Sequence, residues 1–197
     1  MKRTFDIVIS FFVLICFLPL GLIISILIIL TSSGGLFYRQ TRIGKNGKPF
    51  RIFKFRSMRT DSDKAGKLTV GMRDSRITPI GFFIRKYKLD EFPQFINVLI
   101  GEMSIVGPRP EVKEYVDLYT ENQRNVLKVK PGITDYASLE YFNENELLAK
   151  SANPQQTYID EIMPAKLKLN EKYLENPSIG HDLKIMSKTL FKMLTIK

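Results

Sequence analysis

The dominant feature of the hydrophobic pattern is an uninterrupted apolar run near the start of the chain. Residues 7–30 are 24 positions without a charged side chain. A straight helix of that length extends about 36 Å at a rise of about 1.5 Å per residue, and the hydrocarbon core of a bilayer is about 30 Å thick. The run is therefore long enough to enter or cross a membrane, and it is longer than the apolar part of a cleaved signal peptide.

Composition alone leaves two membrane arrangements of this run open. One is a plain transmembrane helix. The other is a re-entrant helix that enters and leaves on the same side, with a break near Pro19, because Pro19 and Gly21 fall in the middle of the run. Lys2 and Arg3 precede the run and a basic block follows it. The positive-inside rule places both flanks in the cytoplasm, as a re-entrant helix requires.

The rest of the pattern predicts one small mixed domain. Residues 36–59 predict a β-hairpin, since Asn46-Gly47 is a strong turn signal between two strand-like runs. Helical periodicity or amphipathic composition predicts helices over residues 77–88, 89–99, 144–150, 157–174 and 178–193. The first and last of these are basic and amphipathic, which suits either the membrane interface or packing on the domain. The predicted fold class is α+β and mostly helical, with a membrane segment over 1–35 and one domain over 36–197.

Charge is concentrated directly behind the apolar run. The net charge of the chain is +10, and residues 36–60 contain eight basic and no acidic side chains. Such a block suits an anionic partner, which can be a lipid headgroup, a phosphorylated substrate or a nucleic acid, or it is simply a solvated face. Cys16 and His181 are each the only residue of their type, so the sequence offers no basis for a disulfide, a zinc centre or a histidine-dependent hydrolase triad.

Two short segments carry the candidate chemistry. Asp90 and Glu91 are adjacent acids in an apolar and basic stretch, and Pro93 places them at or just before a helix start. Acids at that position are ordinary helix caps, so the pair has a purely structural interpretation as well. Arg109 stands between Pro108 and Pro110. A guanidinium on a stiff backbone loses little entropy when it binds a phosphate.

These segments belong to a series of motifs in a fixed order. The motifs are Phe53-Lys54-Phe55-Arg56-Ser57-Met58, Leu89-Asp90-Glu91-Phe92-Pro93-Gln94, Asn97-Val98-Leu99, Gly101-Glu102-Met103-Ser104, Val106-Gly107-Pro108-Arg109-Pro110 and Lys130-Pro131-Gly132-Ile133-Thr134. Together with the Lys-Arg-x-x-Asp-Ile start, they resemble the bacterial sugar transferase family, the monotopic phosphoglycosyl transferases. The resemblance covers essentially the whole chain, in the minimal form of the family.

The resemblance implies a fold, an activity and a location. The apolar run is expected to be a re-entrant helix that anchors a cytoplasmic catalytic domain to the inner membrane of a bacterium. Family members transfer a sugar 1-phosphate from a UDP-sugar to polyprenol (undecaprenyl) phosphate and release UMP, which is the first membrane step of glycan assembly. The implied partners are therefore the UDP-sugar, the polyprenol phosphate and membrane lipid, without nucleic acid, and a homo-oligomer stays open.

The resemblance also assigns roles to particular residues. Asp90 is expected to attack the sugar-bearing phosphate and form a covalent intermediate, with Glu91 assisting, for example as proton acceptor. Arg85, Arg109 and Lys54 match basic positions near the substrate phosphates. Magnesium is the implied cofactor, with Asp90 in or beside its coordination.

Three departures from the family pattern leave parts of this inference open. The family often has Ser-Pro where this chain has Leu18-Pro19. Many members continue Gly-Trp-Ala-Gln-Val-Asn-Gly-Arg after the Pro-Gly-Ile-Thr motif, whereas residues 135–142 read Asp-Tyr-Ala-Ser-Leu-Glu-Tyr-Phe, and Asn170 replaces a family Asp. Two alternatives therefore stand beside the enzyme: a membrane-anchored protein that binds nucleic acid or anionic lipid through basic and aromatic residues, and an inactive scaffold homologue.

Overall fold

The computed structural model of the chain describes residues 1–60, 62, 66, 68–71 and 74–195. Nine α-helices and six short strands lie in this part. The helices are α1 Lys2–Thr31, α2 Pro79–Lys86, α3 Gln94–Ile100, α4 Lys113–Val116, α5 Tyr136–Glu140, α6 Glu144–Ala149, α7 Pro154–Thr157, α8 Met163–Glu175 and α9 Ile179–Leu194. The strands are β1 Phe37–Tyr38, β2 Thr41–Ile43, β3 Pro49–Arg51, β4 Lys54–Phe55, β5 Ser104–Val106 and β6 Gly132–Thr134. A mostly helical α+β fold is thus confirmed.

The predicted β-hairpin is present and has two paired segments. β2 pairs with β3 and β1 pairs with β4, both antiparallel. The turn at its tip contains Asn46 and Gly47, both with positive φ, as the Asn-Gly signal requires. The pairing of β1 with β4 brings Tyr38 opposite Lys54 and so fixes where the Lys54 side chain begins. A separate parallel pair, β5 with β6, forms near the C-terminal half of the domain.

α1 lies against the domain along one narrow face. Its buried residues are Asp6, Ser10, Phe17, Ile24 and Ile28, which fall within roughly 40° of one another at 100° per residue. Most of the remaining surface of α1 is apolar and exposed, including Phe11, Phe12, Leu22 and Ile26. Within the described residues, α1 is the one helix long and apolar enough to cross a membrane.

The helix continues through Pro19 as one element, which corrects the expected break at that position. A proline inside a helix removes one backbone hydrogen bond and presses on the preceding turn. Packing on both sides of Pro19 keeps the neighbouring turns helical, since Phe17 stacks on Phe92 at 4.0 Å between ring centres and Ile24 is buried in the same apolar cluster as Ile84. Whether the helix is re-entrant is a separate question of topology.

Polar contacts fasten the first turns of α1 to the domain. Arg3 donates to the carbonyl oxygens of Val98 and Leu99 at 2.5 and 2.9 Å, at the C-terminal end of α3. The buried Asp6 carboxylate accepts hydrogen bonds from Ser104 Oγ at 2.8 Å and from the Ile105 N–H at 3.2 Å. The start of the helix is therefore bonded to α3 and β5, which follow the Asp90-Glu91 pair along the chain.

We expect Asp6→Ala to lower the free energy of unfolding by about 3 kcal/mol, because it leaves two buried donors on β5 without an acceptor. Thermal unfolding of the purified protein in detergent measures the loss. Ser10→Ala is the matched control, since Ser10 lies one turn away on the same buried face and its hydroxyl has no hydrogen-bond partner within the described residues. Equal losses for the two variants would contradict the anchoring role of Asp6.

Candidate active site

The Asp90-Glu91 pair lies in a tight turn between α2 and α3. Lys88 adopts a left-handed conformation with φ 57°, and Leu89–Glu91 form a single 3-10 turn before Pro93 opens α3. No side chain caps the N-terminus of α3, so the interpretation of Asp90 as a helix cap is not confirmed. Asp90 is instead buried, with 5% of its surface exposed. A buried acid that does not cap a helix needs another explanation.

Glu91 is held by two cations from distant parts of the chain. Arg109 donates to both carboxylate oxygens of Glu91, with 3.1 Å between Nη1 and Oε2. Lys54 Nζ, from β4, donates to Oε1 of the same carboxylate at 2.8 Å. The sequence predicted that Lys54 and Arg109 bind substrate phosphate, and the structure brings both of them to the acidic pair.

A buried carboxylate holds the backbone of the loop that contains Arg109. The Arg109 N–H donates to the Asp135 carboxylate at 3.0 Å, and the same carboxylate caps α5 by accepting from the Ser138 N–H at 2.6 Å. Asp135 is almost fully buried and begins the stretch that departs from the usual family sequence. One substituted residue therefore holds both the Arg109 loop and the first turn of α5.

The electrostatics of the two acids differ. Burial would raise the pKa of Glu91, but the charges of Arg109 and Lys54 outweigh it and hold the pKa of that carboxyl well below its usual range. Burial, and then the charge of Glu91, raise the pKa of Asp90 above its ordinary value. Burial also lowers the pKa of Lys54. Glu91 is thus the charged partner of a fixed ion-pair set, and Asp90 is the desolvated carboxyl beside it.

The Asp90 carboxyl has no hydrogen bond or ion pair to any residue that the structure describes. Its cationic surroundings are Lys54, Arg85 and Lys88, whose charges all lower its pKa against the effect of burial. Arg85 lies in the last turn of α2, and in the described part its guanidinium makes no ion pair. Asp90 and Arg85 therefore line the same cleft with hydrogen-bonding capacity that no described residue uses.

These residues line a cleft of about 1310 Å³. Apolar side chains from α2 and α9, such as Phe82, Leu183 and Leu190, form part of its wall. Another part is polar and includes Arg42, Glu111 and Tyr158. The volume is generous for a small molecule, and the mixed lining suits a ligand with both apolar and charged portions.

Sequence reasoning missed the polar network at Glu111. Arg42 bonds the Pro110 carbonyl oxygen and the Glu111 carboxylate at 3.1 and 3.3 Å, and the Tyr158 hydroxyl donates to the other Glu111 oxygen. Burial would raise the pKa of Glu111, but Lys166 and Arg42 outweigh it and lower that pKa. The network as a whole extends from Arg42 to Tyr158, more than a hundred residues apart in sequence. No local sequence pattern could therefore have revealed it.

Asn97 is a second residue whose role the sequence did not reveal. It is fully buried, and its side chain accepts from the Phe53 N–H at 2.8 Å and donates to the Arg51 carbonyl oxygen at 3.0 Å and the Glu102 carboxylate at 2.7 Å. It ties α3, which follows the acidic pair, to the backbone that leads into Lys54. Its place in the Asn-Val-Leu motif was the available signal.

The other two departures from the family pattern, Asn170 and Leu18, lie away from the cleft lining. Asn170 lies in α8, is buried, and its Oδ1 has no hydrogen-bond partner in the described part of the chain. It is absent from the lining of the cleft. Leu18 is exposed on α1. Residues of the 135–142 stretch, by contrast, do line the cleft, namely Ser138, Tyr141 and Phe142.

The described residues thus combine an exposed apolar helix, long enough to cross a membrane, with a cleft that holds a buried carboxyl among cations. The chain belongs to the bacterial sugar transferase family, whose sequence model matches residues 1–196. The family membership expected from the sequence motifs is thereby confirmed.

Individual relatives are similar over nearly the whole chain. The UDP-glucose:undecaprenyl-phosphate glucose-1-phosphate transferase of Escherichia coli is 36% identical over 98% of this chain and 40% of its own length. The uncharacterized sugar transferase EpsL of Bacillus subtilis is 36% identical over 98% of this chain and 87% of its own length. A UDP-N-acetylgalactosamine-undecaprenyl-phosphate N-acetylgalactosaminephosphotransferase of Aeromonas hydrophila is 36% identical over 98% and 44%. The chain thus spans about two fifths of the named glucose-1-phosphate transferases it matches.

We expect Arg109→Lys to lower the free energy of unfolding by about 1–2 kcal/mol, because a lysine cannot replace a two-pronged bond to Glu91. Chemical denaturation followed by fluorescence measures the change. Arg124→Lys is the matched control, since Arg124 is exposed and its guanidinium bonds only the Asp117 carbonyl oxygen among the described residues. If Arg109→Lys is as stable as Arg124→Lys, the fork between Arg109 and Glu91 contributes no stability.

Proposed function

We propose that this protein transfers a sugar 1-phosphate from a UDP-sugar to undecaprenyl phosphate and releases UMP. Relatives at 36% identity carry names that state this type of reaction with UDP-glucose or UDP-N-acetylgalactosamine. The observation that supports the proposal most directly is the Asp90 carboxyl, which is buried, unbonded within the described residues, and surrounded by Lys54, Arg85 and Lys88. Such a group suits attack on a phosphorus atom whose oxygens the cations hold.

The proposed reaction has two displacements at the same phosphorus atom. An Asp90 carboxylate oxygen bonds to the sugar-bearing phosphorus of the UDP-sugar, and the bond from that phosphorus to the bridging oxygen breaks, so that UMP leaves with the electron pair. A phosphate oxygen of undecaprenyl phosphate then bonds to the phosphorus, and the bond to Asp90 breaks. The products are UMP and a sugar linked to undecaprenyl diphosphate, and the Asp90 carboxylate is regenerated.

Each cation is assigned to part of the negative charge of the UDP-sugar diphosphate. Arg85 has no ion-pair partner in the described part of the chain, and we assign it the phosphate that carries the sugar. Arg109 and Lys54 each use some of their N–H groups to bind Glu91. Their remaining N–H groups are available to the same diphosphate. Fixed cations stabilise the charge that spreads over the phosphoryl oxygens during transfer.

Glu91 is better suited to positioning than to accepting a proton. Arg109 and Lys54 keep its pKa low, so the carboxylate is a weak base. A phosphate monoester is largely doubly ionised at neutral pH, with a second pKa near about 6, so the acceptor needs little help to lose a proton. We therefore assign Glu91 the task of fixing Lys54 and Arg109.

Magnesium fits the residues at this site. No cluster of three or more potential metal ligands occurs in the described ranges, but magnesium commonly binds one or two carboxylates together with substrate phosphates. Asp90 is the carboxyl whose oxygens are not engaged by described residues. It would hold the ion beside the diphosphate, where the ion would neutralise charge on the phosphoryl oxygens.

The membrane arrangement proposed here keeps both ends of α1 on the cytoplasmic side of a bacterial inner membrane, as a re-entrant segment does, with the helix unbroken at Pro19. Contacts with one domain at both ends support it: Arg3 bonds α3, and Ile28 packs in the cluster that contains Ile84 of α2. A helix that crossed the bilayer alone would separate these ends. The exposed apolar residues of α2 and α9, including Phe83, Phe191 and Leu194, would rest in the same interface.

The nucleic-acid alternative loses its aromatic support. Phe50 and Phe55 are buried in the core, and Phe53 lies under the Arg39 guanidinium at 3.8 Å. Two of the three rings that would stack on bases are therefore enclosed by protein. The proposed partners are the UDP-sugar, undecaprenyl phosphate and membrane lipid, and a homo-oligomer is compatible with them.

We expect Asp90→Asn to reduce UMP release from the preferred UDP-sugar by at least about a thousandfold, since it removes the attacking oxygen charge. A panel of UDP-sugars, assayed in membranes with undecaprenyl phosphate, identifies that donor first. Asp160→Asn is the matched control, because Asp160 also precedes a glutamate but is exposed. Turnover that survives in Asp90→Asn would remove Asp90 from the role of nucleophile.

We expect a cysteine in the first turn of α1 and a cysteine in the hairpin that follows α1 to react from the same side of the membrane. Thr4→Cys and Lys48→Cys are exposed positions, and each is made in a Cys16→Ser background. An impermeant maleimide should label both in inverted vesicles and neither in intact spheroplasts. Labelling of the two positions from opposite sides would show that α1 spans the membrane.

A further inference from the structure

Two lysines from distant parts of the chain contact the ring of Phe142. Lys88 Nζ is 5.1 Å from the ring centre and Lys192 Nζ is 5.2 Å from it. All three residues line the cleft that contains Asp90. The aromatic face attracts both ammonium groups, so one ring gathers two charges that would otherwise repel each other.

Each lysine has a defined local setting. Lys88 follows α2 in a left-handed conformation with φ 57°, which is uncommon for a residue with a Cβ. Lys192 donates to the Leu139 carbonyl oxygen at 2.6 Å, next to the end of α5. The Lys192 ammonium group is therefore held beside Phe142 by a hydrogen bond as well as by the ring.

Neither lysine has an acidic partner among the residues that the structure describes. Several other cations at the cleft do have one: Lys54 and Arg109 pair with Glu91, Arg42 with Glu111, and Lys166 with Glu144. Because both ammonium groups lie within 5.2 Å of one ring centre, a single anion beside the ring is attracted by both charges. A phosphate group has the charge and the number of acceptor oxygens to bind both.

The location of the pair indicates which phosphate this is. Lys88 lies two residues before Asp90, and its charge lowers the pKa of both acids. Lys192 belongs to α9, whose exposed side includes Leu190, Phe191 and Leu194. The site thus joins an exposed apolar surface to the reacting carboxyl. A phosphate that arrives on a lipid chain approaches from that surface.

We propose that Lys88 and Lys192, arranged by Phe142, bind the phosphate of the lipid acceptor before it attacks the Asp90-linked sugar phosphate. This inference rests on the proposed function. It separates the cations by substrate: Arg85, Lys54 and Arg109 hold the donor diphosphate, and the Phe142 pair holds the acceptor. Phe142 lies in the stretch that departs from the usual family sequence, so this arrangement belongs to this chain's own residues.

The test separates the two half-reactions. Exchange of labelled UMP into the UDP-sugar needs only the donor, and full transfer needs undecaprenyl phosphate as well. In Lys192→Met we expect the KM for undecaprenyl phosphate to rise about tenfold, because the variant removes one charge-assisted bond, with exchange and the KM for the UDP-sugar unchanged. Lys88→Met should raise the KM for undecaprenyl phosphate by a similar factor. Phe142→Leu should raise the acceptor KM by a smaller factor, and Lys88→Arg should restore it.

Lys188→Met is the matched control. Lys188 is on the same helix and is exposed, so its loss changes the surface charge of α9 equally without touching Phe142. An equal rise of the acceptor KM in this control would assign the effect to lipid headgroups and overturn the proposal. If UMP exchange in Lys192→Met falls as much as full transfer does, the lysines act on the donor, and this result also overturns the proposal. A wild-type protein inactive in both assays would refute the proposed function, and the acceptor site with it.

Discussion

The carboxylate of Glu91 is the junction that the candidate active site depends on. It joins the turn before α3 to β4 through Lys54 and to the loop between β5 and β6 through Arg109. Two charges in a partly buried place are costly unless each is matched. The ion pairs therefore specify the relative positions of three segments that are far apart in sequence. Asp90 is left beside this junction as the carboxyl with unused bonding capacity.

The membrane helix and the active site are parts of one packed unit. Phe17 of α1 stacks on Phe92, which follows the acidic pair directly, and Phe55 of β4 packs in the same cluster. In the proposed membrane arrangement, the depth of α1 in the lipid therefore sets the height of the cleft above the bilayer. A chain with a freely hinged anchor could bind a membrane equally well, but it could not hold its reacting group at a constant level.

Local rules predicted the elements better than the contacts between them. Hydropathy identified α1, and Asn46-Gly47 identified the hairpin, because both signals act within a few residues. The break at Pro19 was the expected local outcome, yet packing on either side keeps the helix continuous. Asp90 and Glu91 were recognised through their motif. Their environments were not, because Lys54 and Arg109 reach Glu91 across 37 and 18 residues. No sequence pattern predicted that Lys88 and Lys192 both contact the ring of Phe142.

The bond between the two ends of the chain has a consequence for biosynthesis. Lys2 pairs with Asp182 of α9, and the Tyr173 hydroxyl donates to the same carboxylate at 2.6 Å. Residue 182 is synthesised 180 positions after Lys2, so the ion pair forms only once α9 has been made. In the proposed membrane arrangement, Lys2 and α9 lie on the same side of the bilayer. A chain inserted with Lys2 on the far side would lack this contact, so the ion pair stabilises the proposed arrangement over that alternative.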